Sequence, residues 1–217
     1  MYKRQIIDCL ESLQKTSFQN KQIIVVDNGT TDETARVAID NGARVVKEPK
    51  KGYGAACLKG IEGLDAPDIV VFLDGDFSDF PEEIVSLIEP IKKEDKDFVI
   101  GSRMILPKSR ASLLPQARYG NQLAVFLIKL FFKHTYTDLG PVRAIRYDSL
   151  MRIGMQDTNF GWTVEMQIKA IKRGLRIIEV PVNYRERVGV SKITGTVSGT
   201  FKAGIKIIYT IFKYLLI

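Results

Sequence analysis

Short runs of β-branched residues alternate with helical segments through the first hundred residues of this chain. The runs read QIIVVD (22–27), ARVVKE (43–48), IVVFLD (69–74) and DFVIGSR (97–103). Continuous apolar runs are typical of strands that are buried on both faces, and a helical pattern follows each of the first three. The alternation predicts an α/β fold with a mostly parallel sheet, in which ligands bind at the carboxyl ends of the strands.

The third run ends in a cluster of carboxylates, LDGDFSD, which contains Asp74, Asp76 and Asp79. Carboxylates this close repel one another unless a cation or a polar ligand lies between them. Gly75 is small enough to let Asp74 and Asp76 approach one point, and oxygen ligands at this spacing suit Mg²⁺ or Mn²⁺. We therefore predict that Asp74 and Asp76 bind a metal; the alternative is a solvated acidic turn.

Charge is distributed unevenly along the 217 residues. Residues 101–217 contain 19 Lys and Arg against 6 Asp and Glu, a net charge of +13, whereas residues 1–100 have a net charge of −6. This asymmetry suggests a site where a cation and phosphates meet, and the basic half would also suit nucleic acid or an anionic membrane. The 45% hydrophobic and 26% charged composition is that of one globular domain. Two cysteines are too few for a disulfide framework, which favours reduced thiols.

Two apolar segments stand out in the basic half, LAVFLIKLFF (123–132) and AGIKIIYTIFKYLLI (203–217). A single lysine interrupts the first and two interrupt the second, so both could form helices that lie in a membrane interface while the lysines reach water. The alternatives are core helices or, for the second segment, the start of a transmembrane segment.

Seven pieces of the chain, in order, resemble the family-2 glycosyltransferases of the GT-A fold, specifically the branch that includes dolichyl- and polyprenyl-phosphate sugar synthases. The pieces are IIVVDNGTTDET, KKGYGAACLKGI, VVFLDGDFSDFPEEI, VIGSR, DLGPVRAIRYDSL, GWTVEMQIKA and IIEVPVNYRERVGVSK. The resemblance as a whole extends over roughly residues 6 to 192, and the quoted pieces lie between residues 23 and 192. The resemblance implies a GT-A domain over residues 1–198, followed by an amphipathic interface helix or the start of a membrane segment over 199–217.

The resemblance also implies a set of residues that bind a UDP- or GDP-linked sugar: Asp27, Asn28, Lys51, Gly52, Asp74, Gly75, Asp76, Ser78, Arg103, Arg187 and Lys192. Asp27 and Asn28 would contact the base or ribose, with the loop that begins at Lys51 alongside. Asp74 would face the ribose and sugar, and Asp76 would bind the metal. The basic residues would hold phosphates, with residues 185–192 as a loop that closes over the donor.

The resemblance implies transfer of a hexose, with inversion, to a polyprenyl or dolichyl phosphate, with Arg143 and Arg118 receiving the acceptor phosphate. Such a phosphate is already anionic near neutral pH, so the reaction needs no strong general base. If the acceptor is instead a sugar hydroxyl of a glycan or glycolipid, a base is required, and Glu165 is the candidate. Glu165 could equally be a buried structural partner. Trp162 could stack on a sugar or pack in the core.

The implied location is the cytoplasmic face of a membrane, as a peripheral protein. Two readings from other classes remain. A phosphatase with Asp-x-Asp would need that motif on its first strand, and here two strands precede it. A non-enzymatic binder of membrane or nucleic acid would leave the carboxylate cluster unexplained, because it repels phosphates without a metal; we expect no nucleic-acid partner.

One piece of the family pattern has no counterpart here. Family members normally begin with a strand just before the helix that starts near Gln5. Without it, the strand QIIVVD would lack a neighbour on one edge. We expect residues 1–217 alone to be marginally stable and to bind a sugar nucleotide poorly.

Overall fold

The structure is a computed structural model that describes residues 2–18, 20–186 and 197–217. The strands are β1 (Ile24–Asp27), β2 (Arg44–Lys47), β3 (Ile69–Phe72), β4 (Phe98–Ser102), β5 (Arg143–Arg146) and β6 (Ile177–Pro181). The helices are α1 (Tyr2–Gln14), α2 (Thr34–Asp40), α3 (Tyr53–Glu62), α4 (Ile84–Lys93), α5 (Pro107–Ala111), α6 (Pro115–Phe132), α7 (Tyr147–Ile153), α8 (Trp162–Lys172) and α9 (Val197–Leu216). A single 3₁₀ turn, Pro81–Glu83, leads into α4. The predicted alternation of strands and helices is confirmed.

The strands form two sheets. In the larger sheet the order is β3–β5–β4–β6, and β5 is the one strand of the four that runs opposite to the others. β1 and β2 pair in parallel as a separate two-stranded sheet. The larger sheet is therefore mostly parallel, as predicted, but an antiparallel strand from the second half of the chain separates β3 from β4.

The larger sheet is buried on both faces. All five residues of β4 are buried, and their side chains alternate between the two faces. Val99 packs with Leu87 of α4 on one face. Phe98 packs with Ile128 of α6 and Ile168 of α8 on the other. Because each such side chain stabilises the fold by about 1.5–3 kcal/mol when fully buried, these layers fix the sheet that carries the site.

The helix α9 contributes to this core. Ile211 and Tyr214 are buried, and α9 packs against α6 and α8. The ring of Phe212 lies 5.4 Å from that of Phe131 in α6, centroid to centroid. Among the described residues, no helix combines the length and apolarity needed to cross a membrane.

A cavity of about 1220 Å³ lies between the two sheets. It is lined by β1 and β3 on opposite sides and by residues of α1, α3 and α4. Among the strands that the structure describes, β1 pairs only with β2 and β3 only with β5, so the edges facing the cavity have no strand partner. Cys9 and Cys57 are free thiols in its wall, and burial raises the pKa of each to about 12.

Candidate active site

The segment that follows β3, residues 74–79, forms a turn that we call the carboxylate turn. Oδ1 of Asp76 accepts hydrogen bonds from the backbone N–H and the hydroxyl of Ser78, at 2.9 and 2.5 Å. Phe77 between them has a φ of +59°, a left-handed conformation that is uncommon for a bulky residue. Asp76 and Ser78 are both buried. The turn is thus folded back on itself around the Asp76 carboxylate.

Asp79 ends the carboxylate turn and is only 2% exposed. No described residue donates a hydrogen bond to either of its carboxylate oxygens. Burial raises the pKa of Asp79 well above its ordinary value of 3.8, and the charge of Asp74 raises it further. A buried carboxylate without donors is costly, and a cation beside it would relieve that cost. The turn therefore fits a divalent metal.

The described residues include no group of three His, Cys, Asp or Glu side chains that could hold a metal by themselves. A Mg²⁺ or Mn²⁺ ion that shares its shell with substrate phosphate and water needs only one or two carboxylates from the protein. The predicted pair, Asp74 and Asp76, is consistent with that second kind of site.

Arg103 follows β4 and belongs to a buried ion pair. Its guanidinium donates to both carboxylate oxygens of Asp138, at 2.8 and 2.9 Å, and its backbone N–H donates to the same carboxylate. Burial alone would lower the pKa of Arg103, but the charge and hydrogen bonds of Asp138 raise it above its usual range. The guanidinium lies 5.2 Å from the ring of Tyr184. Asp138, which sequence analysis did not single out, therefore orients this predicted phosphate ligand.

Hydrogen bonds made by Asn28, the residue after β1, fix the position of a second loop, residues 48–54. Asp27 accepts hydrogen bonds from the backbone N–H and hydroxyl of Thr30, and these bonds lower the pKa of Asp27. The side chain of Asn28 donates to the carbonyls of Glu48 and Lys50, at 2.9 and 2.8 Å. Its Oδ1 accepts from the N–H of Gly52 at 3.0 Å. Three hydrogen bonds made by the Asn28 side chain thus fix the conformation of the loop that carries Lys51.

The segment Lys51–Gly54, which we call the donor loop, packs against the backbone of residues 157–159. A Cβ atom on Gly54 would lie 2.0 Å from the carbonyl oxygen of Asp157, and one on Gly52 would lie 2.2 Å from that of Thr158. Gly52 also has a φ of +153°. Both positions therefore require glycine. Lys51 itself is exposed beside Gly29.

The donor loop and the carboxylate turn are neighbours. Burial raises the pKa of Tyr53, and the negative charge of Asp74 is the next cause of that rise. On the other side, a Cβ on Gly75 would lie 3.5 Å from Ile6 of α1. Because Asn28 bonds to the donor loop and Asp74 lies near it, the residues that follow β1 and those that follow β3 are close to one another.

Glu165 is fully buried, and its carboxylate is surrounded by donors. The backbone N–H groups of Gln156 and Asp157 donate at 3.0 and 2.6 Å. The hydroxyl of Tyr214 donates at 2.7 Å, and the ammonium of Lys169 lies at the same distance. These contacts fit the structural role that the sequence left open for Glu165. Its carboxylate lacks the exposure that a general base requires.

Arg143 is also fully buried, in β5. Its guanidinium donates to the carbonyls of Leu139, Gly140 and Thr163. Burial lowers the pKa of Arg143. The side chain has no accessible surface that could meet an acceptor phosphate, so the structure does not bring Arg143 into the candidate site.

Trp162 is fully buried as well, with its ring edge-on to Phe72 at a centroid distance of 4.8 Å. It therefore packs in the core. Arg118 lies half-buried in α6. The predicted phosphate ligands Arg187 and Lys192 lie outside the described residues.

The segment that leads toward Arg187 contacts the carboxylate turn directly. Tyr184 forms a β-bridge with Asp79. The guanidinium of Arg185 lies between two rings, 4.0 Å from the centroid of Phe77 and 3.8 Å from that of Phe80. Sequence analysis missed this contact, although the two phenylalanines that flank Ser78 and Asp79 are visible in DFSDF.

Comparison with known proteins identifies this arrangement. The family model described as glycosyl transferase family 2 matches residues 2–154. An uncharacterized glycosyltransferase of Mycobacterium tuberculosis is 33% identical over 181 residues, which is 83% of this chain and 81% of that protein. A dolichyl-phosphate hexose transferase of Haloferax volcanii is 31% identical and is aligned over 85% of this chain and 78% of its own length.

Among solved structures, glucosyl-3-phosphoglycerate synthase of Mycobacterium tuberculosis, in complex with Mn²⁺, UDP and glucosyl-3-phosphoglycerate, is similar in fold. The TM-score is 0.76 at 21% identity, over 99% of this chain and 76% of that one. The match to more than half of the chain, together with the shared GT-A fold, shows that this chain belongs to glycosyl transferase family 2 and is a nucleotide-sugar-dependent glycosyltransferase.

Proposed function

We propose that this protein transfers a hexose from a UDP- or GDP-linked sugar to a polyprenyl or dolichyl phosphate, with inversion and with Mg²⁺ or Mn²⁺. The observation that carries the proposal is the buried Asp79 carboxylate, to which no residue in the described part of the chain donates a hydrogen bond, next to Asp74 and Asp76 at the end of β3. In support, an undecaprenyl-phosphate mannosyltransferase of Micrococcus luteus is 31% identical over 82% of this chain.

The proposal assigns residues of the site to the cation, the nucleoside and the diphosphate of the bound donor. Asp74 and Asp76 would hold the cation, with Ser78 fixing the orientation of Asp76. Asp27 and the donor loop would lie along the nucleoside, and Lys51 would add a mobile positive charge. Arg103, oriented by Asp138, would contact the diphosphate as a planar fork. When bound, the cation would stabilise the negative charge that develops on the leaving diphosphate.

The buried environment of Glu165 favours a phosphate acceptor over a sugar hydroxyl. In the proposed step an acceptor phosphate oxygen attacks the anomeric carbon, and the bond from that carbon to the diphosphate oxygen breaks with its electron pair. No proton has to be removed, because the nucleophile is already anionic. A hydroxyl nucleophile would need a base, and the described carboxylate proposed for that task is fully buried and saturated with donors.

Exposed apolar side chains support a lipid acceptor and a peripheral position on the cytoplasmic face of a membrane. Leu123, Phe126 and Leu130 of α6 are about half exposed, at 48%, 59% and 57%. Phe201 and Ile205 of α9 are 69% and 53% exposed. Each set follows one side of its helix, and the two helices pack against each other. This α6–α9 face is suited to the membrane interface, where nearby lysines would meet anionic headgroups.

The test is a transfer assay with radiolabelled UDP-glucose and GDP-mannose, with Mn²⁺, Mg²⁺ or a chelator. The acceptors are polyprenyl phosphate in vesicles, 3-phosphoglycerate and a glycolipid with free hydroxyls. We expect metal-dependent transfer of label into the organic phase with polyprenyl phosphate only. Exclusive transfer to either other acceptor would overturn the proposed substrate. The assay is run on this chain and on a variant carrying an apolar strand ahead of α1, and absence of transfer from both would overturn the proposal.

A further inference from the structure

The C-terminal helix α9 contacts residues 157–165 through three side chains spaced one helical turn apart, Lys206, Thr210 and Tyr214. The hydroxyl of Tyr214 donates to Glu165 at 2.7 Å. The ammonium of Lys206 lies 2.7 Å from the carboxylate of Asp157. A Cβ on Gly161 would lie 2.3 Å from the hydroxyl oxygen of Thr210, so backbone and helix are in direct contact here.

Glu165 transmits this attachment to the backbone. Its two oxygens accept from the N–H groups of Gln156 and Asp157, at 3.0 and 2.6 Å, in a fully buried environment. Hydrogen bonds to a buried charge are stronger than those between neutral groups, and the Tyr214 hydroxyl and the Lys169 ammonium limit the orientations that this carboxylate can adopt. The position of residues 156–157 therefore depends on a carboxylate that α9 helps to orient.

Residues 157–158 in turn support the donor loop. The N–H of Ala55 donates to the carbonyl of Thr158 at 2.9 Å. Gly52 and Gly54 lie so close to the carbonyls of Thr158 and Asp157 that neither position has room for a side chain. A displacement of the 157–158 backbone therefore displaces the donor loop, because the two segments are closely packed with no gap between them.

We propose that Glu165 and Tyr214 are positioning residues for the donor loop, so that the seating of α9 sets the affinity of the site for its sugar nucleotide. The path runs from the Tyr214 hydroxyl to Glu165, from Glu165 to the 156–157 backbone, and from the Thr158 carbonyl to Ala55. This inference rests on the proposed function in one respect, namely that the donor loop contacts the sugar nucleotide. One consequence is that binding of a membrane to the exposed side of α9 would change the affinity of the donor site through this path.

The test uses Tyr214→Phe, which removes the donating hydroxyl but keeps the ring. The matched control is Tyr209→Phe, because Tyr209 lies in the same helix and is 58% exposed. The first measurement is amide hydrogen exchange, for which the Ala55 N–H is a direct reporter of its bond to Thr158. We expect exchange at Ala55 and at Gln156 and Asp157 to be about tenfold faster in Tyr214→Phe and unchanged in Tyr209→Phe.

The second measurement is KM for UDP-glucose and GDP-mannose with Mn²⁺. We expect Tyr214→Phe to raise KM several-fold with little change in kcat, and Glu165→Gln to raise it further. Unchanged exchange at Ala55 would overturn the inference, and so would equal acceleration at Val99 and Ile100 in the core, since that pattern indicates general destabilisation. If the wild-type chain binds neither sugar nucleotide, the proposed function fails, while the exchange data still decide whether α9 positions the loop.

Discussion

The backbone N–H of Arg185 donates a hydrogen bond of 2.9 Å to the carbonyl of Ser78. Through this bond the segment after β6 is joined to the carboxylate turn. The guanidinium of Arg185 reinforces the joint by stacking between Phe77 and Phe80 and donating to the carbonyl of Asp79. The left-handed backbone at Phe77 is thereby supported from outside the turn.

Replacing Arg185 should loosen the carboxylate turn. We expect Arg185→Ala to weaken the apparent affinity for Mn²⁺ in the presence of UDP by about tenfold, since a desolvated cation–π contact contributes up to about 2 kcal/mol. Arg185→Lys should recover only part of the loss, because an ammonium cannot stack as a plane between two rings. Isothermal titration measures both affinities. Arg110→Ala, at an exposed arginine of α5, is the control; if it weakens binding equally, bulk charge and not the stack is responsible.

Asp76→Ala should abolish metal-dependent transfer without unfolding the protein. Removing a group that only orients a metal ligand typically costs about 10–100-fold, so loss of Asp76 itself is expected to lower activity by more than about 100-fold, whereas the strands that frame the turn keep their packing. The measurements are transfer activity over a range of Mn²⁺ concentrations and the circular dichroism spectrum. Asp65→Ala, at an exposed loop aspartate, should retain activity. Full activity of Asp76→Ala, or of the wild type in excess chelator, would rule out the metal role.

Asp79→Asn should stabilise the metal-free protein. The native carboxylate is buried, has no described donor and lies near Asp74 and Asp76, so removing its charge should increase the free energy of unfolding by about 1–3 kcal/mol. For a chain of this size that corresponds to a rise in Tm of about 2–4 °C per kcal/mol. The same variant should gain less stability than the wild type when Mn²⁺ and UDP are added. A lower Tm without metal would show that the carboxylate stabilises the turn in another way.

Membrane binding should depend on the α6–α9 face. The variant Phe126→Ser, Phe201→Ser, Ile205→Ser removes three exposed apolar side chains and should lower binding to anionic vesicles at least about tenfold in a sedimentation assay. Point substitutions are preferable to removing residues 203–217, because α9 also carries the buried Ile211 and Tyr214. High salt should weaken wild-type binding only in part. Ile39→Ser, at an exposed position of α2, is the control, and equal sedimentation of all variants would exclude this face.

The cavity between β1 and β3 should accept an added strand. An extension of about 10 residues ahead of α1, apolar and β-branched, would offer backbone partners to both open edges and fill apolar space. We expect it to raise Tm by about 10 °C and to strengthen donor binding, because several buried side chains contribute about 1.5–3 kcal/mol each. Thermal unfolding is compared with a Gly/Ser extension of equal length, with and without UDP-glucose and Mn²⁺. Equal Tm and equal ligand response would show that the cavity does not accept a strand.

Local sequence patterns predicted the strands and the position of the carboxylates well, because both depend on short-range features. β-branched runs define β1 to β4, and Asp74 and Asp76 follow β3 directly. The placement of β5 between β3 and β4 was not predictable in this way. Its sequence, RAIR, is short and charged, and its partners lie more than forty residues away in the chain.

The roles of individual charged residues were harder to predict for the same reason. Arg143 looked like a phosphate ligand, yet its two terminal nitrogens donate to backbone carbonyls that only the folded loops bring to it. Glu165 meets Tyr214, which is 49 positions away. Asp138 was not singled out from the sequence, although it orients Arg103. No local pattern reports such contacts, since each depends on how distant elements pack.

The antiparallel strand β5 also determines the order in which this chain can fold during its synthesis. β1 and β2 are separated by only 20 positions in register, so both strands of their sheet have been synthesised once residue 47 is added. β3, by contrast, pairs with Arg143–Arg146, and β4 pairs with both β5 and Ile177–Pro181. The apolar strands that precede the carboxylate turn and Arg103 therefore emerge from the ribosome well before their partners. Until β5 arrives, those strand edges stay available for pairing with other chains, and this interval is when the nascent protein is most exposed to aggregation.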